Sequence, residues 1–440
     1  MFQRTNQSER FGGSNRGSFA FLAGLVVTAS IAVSQDDWGR FMQDTSLAKL
    51  PQNAARTPVT ARDLSAKEWE AAATAWAYFD AHFRAGTGFV DAIHDHPNAT
   101  LWDQGSYVLA LVAAHGLGVI DDATLAYRSE AFLQGLERLP LFEDTLPNKA
   151  YDTRDLRMVD YANVPAPDGI GWSALDVARL LMALRVLEVQ HPQYGAQIRS
   201  IIARWDLSAM AVEGRLWGTS RANGHTRYHQ EGRIGYEQYG ARAAALWGLD
   251  VLAASTAQPI MEWQRISGVE VAVDRRRAKD FGAITPVVSE PYLLQAFEMG
   301  LNAEGRLLAD RLYQAQEARA RDSGVATIVS EDHIDQAPHF LYNAVFGNGV
   351  DWAVVSEDGD LHPELRTVSL KASFGWDALY DTDYTDEVLE GLQDAASPHG
   401  WYAGRYEVDG RINAALTLNT NAVVLEALYY KSKGPLLQIW

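Results

Sequence analysis

The stretch Glu231-Gly-Arg-Ile-Gly-Tyr-Glu-Gln-Tyr-Gly-Ala-Arg-Ala-Ala-Ala-Leu-Trp-Gly248 runs from a polar, glycine-broken head into an apolar, alanine-rich segment. Tyr236, Tyr239 and Ala243 recur at steps of three and four residues, which is the period of a helix. Small residues fill most of the other positions, so this helix is expected to be covered on nearly all sides.

The head of this predicted helix carries two carboxylates, Glu231 and Glu237. A helix N-terminus stabilises negative charge and can orient an acid, so the head is a candidate place for chemistry. The structural alternative is that Glu231 caps the turn and that Glu237 forms an ion pair with Arg233 or Arg242.

The same order of an amphipathic helix, a loop and a mostly apolar helix recurs along the chain. The apolar helices are predicted over Tyr107 to Leu117, Trp172 to Val189, Gly235 to Ala254, Glu290 to Met299, Thr367 to Tyr380 and Leu418 to Tyr430. The amphipathic helices are predicted over Ser65 to Arg84, Asp122 to Leu139, Tyr194 to Trp205, Asn302 to Asp322 and Asp383 to Ala396. Residues 263–286 are predicted to be extended or irregular instead.

Six inner and about six outer helices in alternation indicate an all-α fold, a closed α/α toroid with short β-hairpins in the loops. An open helical solenoid is the rival, but it would not need carboxylates, glycines and aromatic residues ahead of every second helix. In a closed ring, the loops that precede the inner helices meet at one end. They would form one concave pocket there.

The composition excludes several classes of partner and cofactor. The chain has 440 residues, a formal net charge of −18 and no cysteine. Arg275-Arg-Arg277 is the only short basic run, so neither nucleic acid nor an anionic membrane is expected as a partner. His94 and His96 flank Asp95 without a third ligand at suitable spacing, so no metal is expected. No P-loop or dinucleotide motif occurs, so no cofactor is expected.

The N-terminus has the pattern of an export signal, in which arginines precede an apolar run and small residues close it. The run, Phe19 to Val33, is shorter than the roughly 20 residues that span a bilayer, so cleavage is expected, with an uncleaved anchor as the alternative. We expect a monomeric bacterial protein that is periplasmic or secreted. Its predicted parts are a signal peptide or anchor over 1–34, a linker over 35–62 and a catalytic barrel domain over 63–440.

Carboxylates and aromatic residues are concentrated in the loops ahead of the apolar helices. Glycoside cleavage needs one acid to protonate the leaving oxygen and one base to activate water. Aromatic rings suit the C–H faces of sugars. The catalytic candidates are Glu237, Glu231, Asp103 and Asp152. The candidates for substrate binding are Trp102, Tyr151, Trp172, Arg233, Tyr236, Glu290, Trp401, Arg405, Asn419 and Asn421.

Several candidates have a structural alternative. Asp103 is also placed to cap its helix, and Asn419 and Asn421 could satisfy backbone groups. Trp102 and Trp172 are favoured as core residues over ligand platforms.

Four runs carry a family resemblance. They are Leu146-Pro-Asn-Lys-Ala-Tyr-Asp152, Gly169-Ile-Gly-Trp-Ser-Ala-Leu-Asp176 with Arg179-Leu-Leu181, Glu231-Gly-Arg-Ile-Gly-Tyr-Glu237, and Leu416-Thr-Leu-Asn-Thr-Asn-Ala-Val-Val-Leu-Glu426. The chain resembles an exported bacterial domain family of unknown function that is related to glucoamylase-like domains. The resemblance covers about Leu64 to Pro435 and implies an (α/α)6 barrel.

Relatives with that barrel include the endo-β-1,2-glucanases, so the resemblance implies a β-glucan substrate. In glucoamylase-like barrels the general acid lies ahead of the third inner helix, which here matches Glu237 or Glu231. Glu237 is favoured, because the residues that follow it resemble the head of that helix in the β-1,2-glucanases. The base does not carry over, and it stays open among Asp103, Asp152, Asp332 and Glu407.

The main hypothesis is an exported, inverting, endo-acting glycoside hydrolase on a β-glucan, with the β-1,2 linkage as the best match. The alternative is a non-catalytic glycan-binding protein that supports polysaccharide synthesis or export. A polysaccharide lyase ranks third, because lyases need a positive group to neutralise a uronate and the loops here are dominated by Asp and Glu.

Overall fold

The computed structural model describes residues 55–439, apart from Asn223 and the side chain of Asp280. The predicted signal segment 1–34 and most of the predicted linker 35–62 lie outside the described residues. No helix in the described part combines the length and the apolar composition of a membrane span.

Helices make up most of the described secondary structure. The α-helices are α1 (Ala66–His82), α2 (Leu101–Leu117), α3 (Asp122–Arg138), α4 (Ala174–Gln190), α5 (Gly195–Ile202), α6 (Tyr236–Ala245), α7 (Ala278–Phe281), α8 (Glu290–Met299), α9 (Ala303–Ser323), α10 (Leu370–Tyr380), α11 (Asp383–Glu390) and α12 (Leu418–Lys433).

The even-numbered helices are arranged as a ring. Each of α2, α4, α6, α8, α10 and α12 contacts the next in this order, and α12 contacts α2. Every residue of α8 and of α10 is buried, as expected for helices that are covered on all sides. Outside the ring, α1, α3, α5, α9 and α11 each pack against a ring helix.

Short antiparallel sheets fill the loops between the helices. The strands are β1 (Asn98–Thr100), β2 (Leu141–Phe142), β3 (Leu146–Pro147), β4 (Ala150–Asp152), β5 (Met158–Val159), β6 (Ala211–Val212), β7 (Arg215–Ala222), β8 (His225–Gln230), β9 (Met261–Ile266), β10 (Val269–Asp274), β11 (Glu331–His333), β12 (Phe340–Asn343), β13 (Phe346–Gly347), β14 (Val350–Asp351), β15 (Val354–Val355), β16 (Thr367–Ser369), β17 (Ala396–Ser397), β18 (Gly400–Tyr406) and β19 (Ile412–Leu416). The hairpin β9–β10 and the short α7 occupy the interval that was predicted to be extended or irregular.

Three predicted boundaries are wrong for local reasons. Helix α11 ends at Glu390 rather than Ala396, because Gly391 closes it and a separate 3₁₀ turn follows at Gln393–Ala395. Helix α2 begins at Leu101 rather than Tyr107, because Thr100 and Asp103 form a reciprocal capping box at its start. Helix α6 ends at Ala245 rather than Ala254, and Gly248 then turns the chain with a φ of +83°. The segment before α6 is the hairpin β7–β8, whose register pairs Thr219 with Tyr228.

Arg179 of α4 lies inside the ring and is completely buried. Its guanidinium donates hydrogen bonds to the hydroxyl of Tyr239 at 2.8 Å and to a carboxylate oxygen of Glu426 at 3.0 Å. It also forms an ion pair with Glu298, and its Nε donates to the hydroxyl of Ser106 at 3.2 Å. One side chain of α4 therefore reaches α2, α6, α8 and α12.

Burial favours the protonated form of both carboxyl groups around Arg179. Burial raises the pKa of Glu298 and of Glu426, and the neighbouring Glu298 raises that of Glu426 further. A protonated Glu426 leaves one negative charge opposite one guanidinium. The buried group is then neutral as a whole, which a low-dielectric interior requires.

Replacing Arg179 should destabilise the whole ring. Arg179→Met leaves a buried carboxylate unpaired, and loss of one partner of a buried ion pair costs about 3–5 kcal/mol of unfolding free energy. Urea unfolding followed by circular dichroism measures this loss. Arg199→Met is the matched control, because Arg199 also pairs with a glutamate but is 71% exposed, and it should cost less than about 1 kcal/mol. Equal losses for the two variants would contradict the central position of Arg179.

Candidate active site

The N-terminal ends of the ring helices lie on one side of the ring, which we call the head face. Asn419 of α12 donates hydrogen bonds to both carboxylate oxygens of Glu290, the first residue of α8, at 3.1 Å each. The ammonium of Lys371 in α10 contacts the same carboxylate and lies 3.4 Å from Asp332 of β11. We call these four residues the Glu290 cluster.

The Glu290 cluster holds its charges out of water. Burial disfavours the ammonium of Lys371, but the surrounding carboxylates outweigh burial and raise its pKa. Burial raises the pKa of Asp332 to about 7, although Lys371 opposes that shift. A carboxyl group that can hold or release a proton near neutral pH therefore lies at the head face.

Asp103 lies beside this cluster and carries out its predicted capping role. Its Oδ2 accepts hydrogen bonds from the backbone N–H and the hydroxyl of Thr100. Burial raises the pKa of Asp103, and the charge of Glu290 raises it further. The adjacent Trp102 is only partly buried and packs edge-on against the ring of Tyr236, with centroids 5.3 Å apart. Asp103 therefore caps α2 and also lies at the head face.

Asp176 and Glu231 share one hydroxyl group, and we call them the Ser173 pair. The Oγ of Ser173 lies 3.1 Å from a carboxylate oxygen of Asp176 and 3.0 Å from one of Glu231. Glu231 also accepts a hydrogen bond from the backbone N–H of Leu175, in the first turn of α4. Burial raises the pKa of Asp176 to about 8, and the charge of Glu231 adds to that shift. Within the pair, Asp176 is therefore the carboxyl group that favours its protonated form at neutral pH.

The hairpin β7–β8 holds Glu231 in place. Gly218 of β7 lies against this carboxyl group, and a Cβ atom at position 218 would overlap it. The hairpin is fixed to the start of α4, because Thr219 accepts a hydrogen bond from the backbone N–H of Trp172 at 2.9 Å. His229 of β8 lies 3.6 Å from Glu231. The absence of a side chain at position 218 thus makes room for a site residue.

Arg233 and Tyr236 lie at the head face, where the sequence predicted substrate binding. The guanidinium of Arg233 lies over the ring of Tyr236 at 4.9 Å and over the ring of Tyr342 at 4.6 Å. Tyr236 packs with Trp102 and Leu175, at the heads of α2 and α4.

Glu237 lies in a different environment from Glu231. Its carboxyl group is 1% exposed and lies 2.7 Å from Arg276 and 3.4 Å from Arg215. Burial raises the pKa of Glu237, as expected for a general acid, and the two arginines oppose the shift. The predicted ion pair with Arg233 or Arg242 is wrong, since the partners come from β7 and from the segment after β10. The catalytic role of Glu237 stays a prediction.

Three predicted site residues, two on β4 and one just before α4, make contacts outside the Glu290 cluster and the Ser173 pair. Arg154 and Arg157 pair with Asp152 and hold its pKa well below the usual range. Tyr151 is fully buried and donates to the carbonyl of Pro140 at 2.7 Å. Trp172 is buried in the core, as its structural alternative predicted. The structure does not bring these three side chains into the head face.

Four more predicted residues lie away from the Glu290 cluster. Trp401 is buried and donates to the carbonyl of Ala71 on α1. Asn421 is buried and satisfies the backbone of Trp401. Arg405 pairs with Asp394 and lines a separate cavity of about 430 Å³. Glu407, one of the open candidates for the base, pairs with Arg319 at 2.8 Å.

Sequence reasoning missed Lys371 and the role of Asp176. Lys371 interrupts the otherwise apolar run Leu370-Lys-Ala-Ser-Phe-Gly-Trp376. A charged residue in a mostly apolar helix signals a buried partner, and this signal was available. Asp176 stands three residues after the cap of α4, where an acidic residue is common for structural reasons alone.

Solved structures define the class of fold. The endo-β-1,2-glucanase of Chitinophaga pinensis matches with a TM-score of 0.60 and 12% identity, over 85% of this chain and 94% of that one. A proposed glucoamylase of Bacteroides caccae matches with a TM-score of 0.60 and 13% identity, over 84% and 94%. The endo-β-1,2-glucanase of Talaromyces funiculosus, solved with β-1,2-glucan, matches with a TM-score of 0.54 and 13% identity, over 82% and 84%. This chain thus has the fold of glucoamylase-like and glucanase proteins.

Within that class, the chain belongs to the family DUF3131, described as protein of unknown function, whose model matches residues 70–434. The family relation that the four sequence runs indicated is confirmed. A comparison with curated proteins finds no match.

The free energy of unfolding should depend on pH through the ionisation of Asp176. Its pKa in the folded state, about 8, lies above the ordinary value of 3.8, so ionisation of Asp176 lowers stability as pH rises from about 4 to about 8. Asp176→Asn abolishes this contribution, so the unfolding free energy of the variant relative to the native chain should increase across that window. Urea unfolding at several pH values measures the difference.

Asp155→Asn is the control, since the Asp155 side chain is 52% exposed, and its effect should not change with pH in this way. A pH-independent effect of Asp176→Asn would show that Asp176 does not retain its proton.

Proposed function

We propose that this chain is an exported, monomeric glycoside hydrolase that cleaves a β-glucan within the chain, with β-1,2-linked glucan as its substrate. The Ser173 pair carries the proposal, because it is a proton-holding carboxyl pair at the heads of two neighbouring ring helices. The shared fold with two endo-β-1,2-glucanases supports the linkage. We further propose that the closed ring and its outer helices form a single (α/α)6 barrel.

The proposed mechanism divides two tasks across the head face. The Ser173 pair donates its proton to the glycosidic oxygen as the bond to the leaving sugar breaks. A second carboxylate accepts a proton from the water that attacks the opposite face of the sugar, which inverts the anomeric centre. The Glu290 cluster holds the polar groups of the sugar, and Trp102 supplies an apolar surface.

Asp103 is the proposed base. Of the four open candidates, Asp152 and Glu407 are occupied by arginines. Asp332 is 2% exposed and lies beside an ammonium. Asp103 is less buried than Asp332, and its hydrogen bonds to Thr100 use only Oδ2. None of the described residues donates a hydrogen bond to Oδ1, so this oxygen can accept one from water.

The test of the function is incubation of the purified protein with linear and cyclic β-1,2-glucans and with β-1,3- and β-1,4-glucans, with products separated by size. Release of shorter oligosaccharides from β-1,2-glucan is expected. Binding of the glucan without any cleavage would replace the proposal with the non-catalytic reading. Cleavage of another linkage alone would correct the substrate.

Substitutions should separate the candidate acids. Glu231→Gln, Asp176→Asn and Asp103→Asn should each lower kcat by about 10²–10⁴-fold, the usual contribution of a positioned proton transfer. Glu237→Gln is the matched control and should cost less, because Glu237 is enclosed by Arg276 and Arg215. A larger loss in Glu237→Gln than in Glu231→Gln would restore Glu237 as the acid.

The dependence of kcat/KM on pH should show the loss of the proton from Asp176. If the Ser173 pair is the acid, kcat/KM should fall as pH rises through about 8, where Asp176 loses its proton. Initial rates over about pH 5 to 10 measure this limb. An unchanged high-pH limb in Asp176→Asn would contradict the assignment.

A further inference from the structure

Arg233 is a cation at the head face that lacks a counter-ion from the described chain. No carboxylate oxygen of the described residues lies within ion-pair distance of it, although the face carries several acids. Its Nε is buried and has no hydrogen-bond partner. The other site cation, Lys371, is by contrast fully engaged by Glu290 and Asp332.

The surroundings of Arg233 fix how it can bind a ligand. Tyr236 and Tyr342 lie over the guanidinium, at 4.9 Å and 4.6 Å. The backbone on either side is set by Gly232 and Gly235, whose φ angles of +108° and +90° favour glycine. The guanidinium carbon lies over both rings, and the N–H groups of a guanidinium project from its edge. The edge of a guanidinium matches two oxygens of a carboxylate or a phosphate.

The acidic neighbours do not remove this positive charge. Burial raises the pKa of Glu331, which pairs with Tyr342 across β11 and β12, so this nearby acid is poorly able to carry a negative charge. Glu357 influences the same tyrosine, but it too lies beyond ion-pair distance from Arg233. Partial burial of a guanidinium without a counter-ion costs free energy, and a ligand that supplies the negative charge offsets that cost.

We infer that Arg233 binds an anionic substituent, a carboxylate or a phosphate, on the glycan that occupies the head face. This inference rests on the proposed function only in taking the ligand to be a glycan. It does not depend on cleavage of that glycan. The substrate would then be a β-glucan that bears acidic groups, rather than an unmodified neutral polymer. The cation sits beside the candidate acids, so the substituent would select which sugar is placed at the Ser173 pair.

Calorimetric binding of matched ligands tests the inference independently of turnover. The ligands are one β-1,2-glucan preparation left neutral, the same preparation carrying succinyl carboxylates, and the same preparation carrying phosphates. The native chain should bind at least one acidic form about tenfold or more tightly than the neutral form. The two acidic arms distinguish a carboxylate from a phosphate. The preference should weaken with added salt, as expected for a charge interaction.

Arg233→Gln should abolish the preference, so that the neutral and the acidic glucans bind the variant with equal affinity. Arg233→Lys keeps the charge but not the planar fork, so it should retain part of the preference; it also serves if the glutamine variant does not fold. Arg265→Gln is the matched control, because Arg265 is 72% exposed on β9, and it should change nothing.

Equal binding of neutral and acidic glucans by the native chain would overturn the inference while leaving the proposed hydrolase intact. Equal weakening of all three ligands in Arg233→Gln would also overturn it, and would assign Arg233 to sugar hydroxyls. Arg233-dependent binding of acidic glucan without any cleavage would uphold the inference and reject the hydrolase.

Discussion

The contact between Arg179 and its two glutamates is the constraint on which the ring depends. A guanidinium inside a helical ring is tolerated only when its charge and its donors are satisfied, and here the partners come from four other ring helices. The network also reaches the head face. Ser106, which accepts from Arg179, donates to Asn419 at 3.3 Å, and this orients the amide of Asn419 so that its N–H groups face Glu290. Core and site are thus one hydrogen-bonded system.

The head face is assembled from two kinds of element. The ring helices present Asp103, Asp176 and Glu290 from rigid, buried segments. The loops add hairpins that carry further site residues. In β7–β8 this requires a glycine, since a side chain at position 218 would prevent Glu231 from reaching Ser173. Residues on rigid elements are positioned more accurately than residues on free loops. The hairpins are therefore anchored to the helix heads rather than left mobile.

The sequence predicted the ring helices well because apolar periodicity is a local property. Glu290–Met299 was predicted to the residue, whereas the predicted start of α2 was six residues too late, because its capping box precedes the apolar run. The site was harder. Glu231 and Glu237 are both acids at one helix head, and only the path of the backbone between them, through Gly232, decides which one meets Ser173. Lys371 was missed because its partners are distant in sequence, so periodicity does not reveal them.

The filled interior of the ring has a topological consequence for any polymer that binds there. Arg179 is completely buried and links α2, α4, α6, α8 and α12, so within residues 55–439 it fills the interior of the ring at that level. If a glycan binds at the head face as proposed, it cannot pass through the ring at the level of Arg179 and has to approach and depart on the same side.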